Sequence, residues 1–375
     1  MHLRTWTSSD ITLGTRVFLR IDGNVPVVRG QAKDGAYGRL QQTIPEIVKL
    51  RAHGARIILA THLGDPGGKV DDQLSVVPIA RLLAEKLGKP VRVLSGIVGQ
   101  AVEREVLGAD AGEILMLENL RFDPGEEENS VAFAKSLARL ADVYVNNAFG
   151  VCHRAHASVD AITRELPSFA GELVVREVRT LEKQHSHPYV VVLGGAKLAT
   201  KLPLVEHLAE PADVVLVGGA LCLPLLHALD RPLPEKVKKD MKVEDVKAAE
   251  SLLRRYMEKI ILPEDLHIEG ASRVIDIGPK TTELYALKIA GAMSVLWNGP
   301  MGIIEEPGAR AGTKAVAKAI GDALPKTAIV GGGDTVEFLE SLDLLKGFTH
   351  VSTGGGAMLA LLSGEKLPGL EALQA

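Results

Sequence analysis

Short runs of β-branched and aliphatic residues recur along the whole chain, most of them ending at a polar or glycine-bearing turn and followed by a helix-length segment. In the first half they are RVFLRI (16–21), RIILA (56–60), VRVL (91–94), ILML (114–117) and DVYV (142–145). The second half restarts with YVVVL (189–193), DVVLV (213–217), KIIL (259–262), RVIDI (273–277), MSVLW (293–297), TAIV (327–330) and THV (349–351). Strands that are apolar throughout, alternating with helices, predict α/β architecture: parallel sheets covered on both faces, with ligands gathered at the strands' carboxyl ends. A chain of 375 residues is too long for one ordinary core, so two such domains are expected. Between the halves, Leu173, Val174, Val178 and Leu181 repeat at helical spacing and no Gly/Ser-rich linker intervenes. A helix joining two domains can transmit a hinge rotation, and the boundary is placed there.

Bulk charge narrows the ligand. Lys plus Arg number 43 against 47 Asp plus Glu, a formal charge of −4, so no global basic field points to nucleic acid and any anion site must be local. Cys152 and Cys222 have no metal-ligand spacing and form no disulfide framework, which fits a reducing, cytoplasmic setting. The first ten residues contain no apolar targeting core, and no later apolar run is long enough to span a bilayer.

Residues that follow the strands carry the chemistry. Asp22 and Asn24 follow the first, His62 the second, Arg121 follows ILMLENL, and Asn146, Asn147, His153 and Arg154 follow DVYV; Arg39 sits just before a helix expected near Thr43. One such residue is unremarkable, but several at equivalent strand ends predict a basic pocket for a small anion, because the arginine fork pairs bidentately with carboxylate or phosphate. In the second half, YVVVLGGAKLATK reads as a buried strand turning at Gly194 and Gly195 into a helix. The helix start offers free N–H groups, and Lys197 and Lys201, four residues apart, share one face: a phosphate site without a Walker A loop. Further glycine turns follow at Gly218-Gly219, Gly278-Pro279, Gly299-Pro300, Gly331 to Gly333 and Gly354 to Gly356. Asp334 is the best metal candidate, since magnesium wants a carboxylate beside phosphate oxygens; its structural alternative is a helix N-cap. The charged stretch 234–259 reads as a solvated amphipathic helix, and Glu126 to Glu128 as an exposed approach to a helix.

Nine segments, in order, resemble the phosphoglycerate kinase family over nearly the whole chain: RVFLRIDGNVP, THLGDP, LENLRF, DVYVNNAFGVCHRAHAS, VVLGGAKLATKL, DIGPKT, VLWNGPMGIIEE, AIVGGGDT and HVSTGGGAMLALLSGEKLPGLEAL. The resemblance implies two Rossmann-like domains around a cleft. They would be a phosphoglycerate-binding domain at 1–170, a joining helix at 171–187, a nucleotide-binding domain at 188–366, and a segment at 367–375 folding back on the first. It implies 3-phosphoglycerate and 1,3-bisphosphoglycerate as substrates with ATP/ADP and Mg2+, acting as a monomer. Asp22, Asn24, His62, Arg121 and Arg154 would surround the acid, and Arg39 would stabilise the transferring phosphoryl group. Gly195, Lys197, Lys201 and Gly333 would hold nucleotide phosphates, Gly218 and Gly219 would line the adenine pocket, and Asn298 and Pro300 would flank the nucleotide. Glu305 would take the ribose, Asp334 the metal, Thr335 would cap the phosphate-facing helix, and Gly354, Gly355 and Gly356 would offer N–H groups to the transferred group.

Those roles suit the reaction. A carboxylate nucleophile needs no general base, so the protein's task is positioning and charge stabilisation, and neither a Ser/His/Asp arrangement nor a dinucleotide GxGxxG pattern is present. Four positions depart from the family pattern. Asp65 stands in THLGDP where arginine is usual and reverses a charge in the phosphate clamp; Gly23 replaces phenylalanine, Asn147 aspartate and Thr200 aspartate. The change at Asp65 leaves open a kinase of this fold for another carboxylic acid, or a weakly catalytic nucleotide-binding relative.

Overall fold

The computed structural model describes all residues except Ala196, Lys197 and Ala271, with Thr200 described by its backbone alone. The chain divides into two compact units, Met1–Glu182 with Lys366–Ala375, and Lys183–Glu365.

The first unit is a six-stranded parallel sheet of β1 (Arg16–Arg20), β2 (Arg56–Ala60), β3 (Arg92–Val93), β4 (Ile114–Met116), β5 (Val143–Asn146) and β6 (Ser168–Ala170), in the order β3-β4-β2-β1-β5-β6. Helices α1 (Arg39–Ala52), α2 (Val77–Leu87), α3 (Gln100–Leu107), α4 (Val131–Ala138) and α5 (Glu172–Leu181) accompany it. Leu19, Leu59 and Met116 of the sheet share one core with Leu40, Ile47 and Leu50 of α1 and Ile79 and Leu83 of α2. Order reverses beside β1, so residues just past β1 and β5 emerge together at the sheet's carboxyl edge, the usual ligand position in this architecture.

The second unit repeats the plan with β7 (Tyr189–Leu193), β8 (Val214–Val217), β9 (Ile260–Ile261), β12 (Ser294–Asn298), β13 (Thr327–Gly331) and β14 (His350–Val351) in the order β9-β8-β7-β12-β13-β14, all parallel. Its helices are α6 (Leu198–Ala209), α7 (Cys222–Ala228), α8 (Glu235–Asp240), α9 (Val243–Tyr256), α10 (Pro279–Ala290), α11 (Ala311–Ala323), α12 (Gly333–Ser341) and α13 (Gly355–Leu362); α14 (Pro368–Glu371) returns to the first unit. The order change falls between β7 and β12, which are in full register from Tyr189 opposite Ser294 to Leu193 opposite Asn298.

Three expectations are corrected here. RVIDI is a strand, β11 (Arg273–Ile277), but it leaves the main sheet to pair antiparallel with β10 (Leu266–Glu269). Glu126 is fully buried rather than exposed: it accepts from Ser158 N and Oγ at 2.9 and 2.6 Å, compensation a buried carboxylate requires. Arg39 opens α1 rather than preceding it. Among the described residues no helix is long and apolar enough to cross a membrane.

Candidate active site

In the first unit His62 is held by Arg20, which sequence reasoning did not single out. Arg20, fully buried on β1, donates from Nε to Ser158 Oγ at 2.8 Å and from Nη2 to His62 Nδ1 at 3.3 Å. A histidine accepting at Nδ1 carries its proton at Nε2 and is neutral. Burial, followed by the charges of Arg20, Arg121, Arg154 and Arg39, drives the His62 pKa well below the usual imidazole value. Arg20 is spent on internal partners, while the charges of Arg121, Arg154 and Arg39, from different parts of the chain, reach the same nearly inaccessible ring.

Local folding positions the rest. Arg39 reaches back to Asp22 Oδ2 at 3.2 Å and to the Asn24 carbonyl at 3.0 Å. Asn24 Oδ1 accepts from Gly64 N at 3.0 Å, tying the turn after β1 to the turn after β2. Arg121 lies in a 3-10 turn capped by Asn119 and donates from Nη1 to the Gly64 carbonyl at 2.8 Å. Arg154 is exposed, with Nε 3.3 Å from His153 Nε2. At the departures, Gly23 leaves room that Thr61 fills: a Cβ there would stand 2.8 Å from Thr61 Oγ1. Asn147 is buried and caps α5 by accepting from Leu173 N at 2.9 Å, and its Nδ2 has no hydrogen-bond partner among the described residues.

In the second unit three glycine turns pack backbone on backbone. Gly194 N donates to Asn298 O and Gly195 N to Pro300 O, both at 2.9 Å. A Cβ on Gly194 would lie 2.1 Å from Pro300 O, and one on Gly219, at φ +59°, 2.7 Å from Gly195 N, so only glycine fits. Gly218 continues β8 through a bond from its N to Leu193 O at 2.8 Å. Beside these turns lies a cavity of about 330 Å³ lined by Gly195, Gly219, Pro300, Glu305 and Asp334. Lys201, in the first turns of α6, donates to the Gly194 carbonyl at 3.2 Å, and burial lowers its pKa. Lys197 lies outside the described residues.

Asn298, buried, links the ends of β12 and β13 through Nδ2 to Gly331 O at 3.1 Å. Helix α12 starts at Gly333 with Gly332 as N-cap and no side-chain cap, so Thr335, buried in its first turn, does not cap it, and Asp334 is free of capping duty. Helix α13 starts alongside: a Cβ on Gly355 would stand 3.6 Å from Gly332 Cα. With Gly354 as its N-cap and Gly355 and Gly356 in its first turn, two helix N-termini bring free N–H groups to one place. Asp334 is exposed on the cavity rim, and among the described residues no three His, Cys, Asp or Glu side chains form a metal cluster. A single carboxylate suits magnesium, which keeps several waters and takes its remaining ligands from phosphates.

Sequence reasoning missed the cavity's apolar wall: Leu223, Leu266, Val274, Ile277 and Met301. It also missed Asp276, buried between β11 and α11, which accepts from Gly312 N at 2.8 Å and so anchors that wall. No local signal marked that wall, because the β10–β11 hairpin that carries part of it is formed outside the main sheet.

A family model described as phosphoglycerate kinase matches residues 9–365. Curated phosphoglycerate kinases of Thermomicrobium roseum and Chlorobaculum tepidum are each 41% identical to the chain, covering 96% and 98% of both partners. Among solved structures, the phosphoglycerate kinase of Pyrococcus horikoshii matches with a TM-score of 0.88 at 31% identity over 98% of both chains. That of Coxiella burnetii matches at 0.81 and 32% over 96% of both.

Proposed function

The chain belongs to the phosphoglycerate kinase family, a phosphotransferase of glycolysis working with ATP and ADP, and on that premise we propose how its residues divide the reaction. The first unit holds phosphoglycerate: Asp22, Asn24 and His62 at the acid's hydroxyl end, Arg121 and Arg154 at its phosphate, and Arg39 beside the transferring group. The second unit holds the nucleotide: the apolar cavity behind Gly218, Gly219 and Pro300 takes the base, Asn298 flanks it, and Glu305 takes the ribose. Lys201, with Gly195, Lys197, Gly333 and Thr335, surrounds the phosphates, and Asp334 holds Mg2+, which supplies charge neutralisation when bound.

The observation that carries this reading is the pairing of two unlike anion sites. One is Arg39, Arg121 and Arg154, each following a strand of the first unit; the other is two adjacent helix N-termini beside an apolar cavity and a half-buried lysine. A carboxylate oxygen of the acid attacks the terminal phosphorus of ATP, the bond to the bridging oxygen breaks, and ADP leaves with that electron pair; no proton needs removing. Charge on the transferring group is met by Arg39, Lys201 and the N–H groups of Gly354, Gly355 and Gly356. Acyl phosphates hydrolyse, so the donor and acceptor must meet away from water, which supports a hinge motion through 171–187. Both sets of residues lie on one chain, which supports a monomer, and the free, buried Cys152 and Cys222 suit the cytoplasm.

A steady-state assay with Mg-ATP and varied 3-phosphoglycerate, coupled to detect 1,3-bisphosphoglycerate, tests the assignment. Saturable turnover that falls by about 10²-fold or more in Arg39→Ala is expected. Saturable turnover left intact by that substitution would remove Arg39 from the transfer step.

A further inference from the structure

Arg121 has two carboxylates beside it that phosphate binding does not call for. Its side chain is only 6% exposed, yet its guanidinium is incompletely partnered among the described residues. Nη1 is used on the Gly64 carbonyl. Nε lies 3.2 Å from Glu127 Oε1 without hydrogen-bond alignment, and among the described residues neither Nε nor Nη2, both buried, has a hydrogen-bond partner. Nε and Nη2 form the outer edge of the fork, the edge that pairs bidentately with an oxyanion. Glu127, with its side chain 37% exposed, therefore sits against half of that edge in a poorly aligned charge contact. Asp65 follows directly on Gly64, whose carbonyl holds Nη1, and is exposed; its charge also reaches Arg121, alongside that of Glu127 and against those of Arg154 and Arg20.

We propose that Glu127, assisted by Asp65, is an internal competitor for the phosphate-pairing edge of Arg121 and so sets how tightly the far phosphate of phosphoglycerate is held. The proposal rests on the assignment of Arg121 to that phosphate. A buried guanidinium without a counter-charge is costly, and Glu127 offsets part of that cost. An incoming phosphate brings two aligned, charge-assisted bonds against one misaligned contact, so it displaces Glu127, which has solvent to turn into. Asp65, where an added cation would strengthen the clamp, instead weakens it in the same direction. Together they make an acceptor site with lower affinity and easier release than its arginines alone would give.

The test varies 3-phosphoglycerate at saturating Mg-ATP for the full-length wild type, Glu127→Gln, Asp65→Asn and Arg121→Lys, with sulfate as a competing anion. Glu127→Gln should lower KM for phosphoglycerate about three- to tenfold, and lower the sulfate inhibition constant with it, leaving KM for ATP in place. Asp65→Asn should move both constants the same way by less. A glutamate needed only for local structure would raise KM or depress kcat on removal, whereas a competing charge lowers KM, and by more at Glu127, which touches Arg121, than at Asp65. An unchanged or raised KM in Glu127→Gln, with Arg121→Lys raising KM tenfold or more, overturns the competitor while keeping the site. No effect of Arg121→Lys removes Arg121 from the phosphate site and the proposal with it.

Discussion

Lys201 is a cation that its surroundings do not favour until phosphate arrives. Burial lowers its pKa, and among the described residues its Nζ donates to the Gly194 carbonyl. Its charge is of most use when negative charge develops in transfer, so Lys201→Ala should lower kcat about 10²- to 10³-fold while barely moving nucleotide affinity. Equal losses in kcat and in affinity, measured by titration calorimetry, would assign it to ground-state binding instead. His156 gives a second residue-scale expectation. Burial first, then Arg121, Arg20 and Arg154, lower its pKa to about 4. Between the ordinary imidazole value and about 4 the unfolded chain binds a proton that the folded chain refuses, so stability should fall as pH drops through that window. His62 contributes in the same direction. Urea midpoints at pH 7 and 4.5 should converge in His156→Gln relative to wild type; an undiminished acid loss would place the titration elsewhere. Residues of this kind were legible where they follow strands, because the sheet's carboxyl edge gathers them whatever the tertiary detail. Glu126 was not legible: flanked by Glu127 and Glu128 it resembles a solvated run, and only the distant Ser158 makes it a buried anchor.

At the scale of elements, the sequence announces strands and helices better than their partners. RVIDI has the composition of a core strand, but its neighbour LHIE is half polar and exposed, and nothing local shows that the two form a hairpin outside the main sheet. The short strand Ser168–Ala170 carried no periodic signal at all and is fixed by pairing with β5. The apolar wall of the nucleotide cavity was hidden for a related reason, since a Leu or Met facing a pocket has the same chemistry as one facing the core. Helix α5 shows how such joints are held. Glu46 of α1, 1% exposed, accepts from Trp6 Nε1 at 2.7 Å and from Glu172 N at the start of α5 at 2.6 Å. Lys49 lies 4.3 Å above the Trp6 ring and 3.3 Å from Glu172. Both Glu46 oxygens accept, one from each neighbour, and glutamine has a single acceptor and would turn an NH2 toward the other donor. Glu46→Gln should therefore cost about 1–3 kcal/mol in urea denaturation. A loss within error would mean that water or a shifted rotamer replaces the second bond.

For the whole molecule the telling feature is that the chain leaves the first unit after Glu182 and comes back at Lys366. The returning residues are not loosely attached. Leu367, Leu370 and Leu373 are fully buried, Gly369 N donates to Cys152 O at 3.0 Å, Arg4 N to Leu373 O at 2.9 Å, and Ala375 N to His2 O at 3.0 Å. Gly369 is required by crowding, because a Cβ there would come 2.6 Å from Val159 Cγ1 and 3.0 Å from Cys152 Cα. The first unit's core is thus completed by a segment separated from it in sequence by the entire second unit, while the second unit has a contiguous chain and its own sheet. Two units with separate cores can lose stability separately, and a single denaturation midpoint then hides which one has failed. Leu370→Ala removes a fully buried side chain from the first unit alone and should cost it about 2–5 kcal/mol. Native-state hydrogen exchange resolves the location: protection should drop across residues 1–182 and remain within error across 183–365. A matching drop in both would show that the units unfold as one cooperative body, and the returning segment would then stabilise the whole chain rather than the domain it packs on.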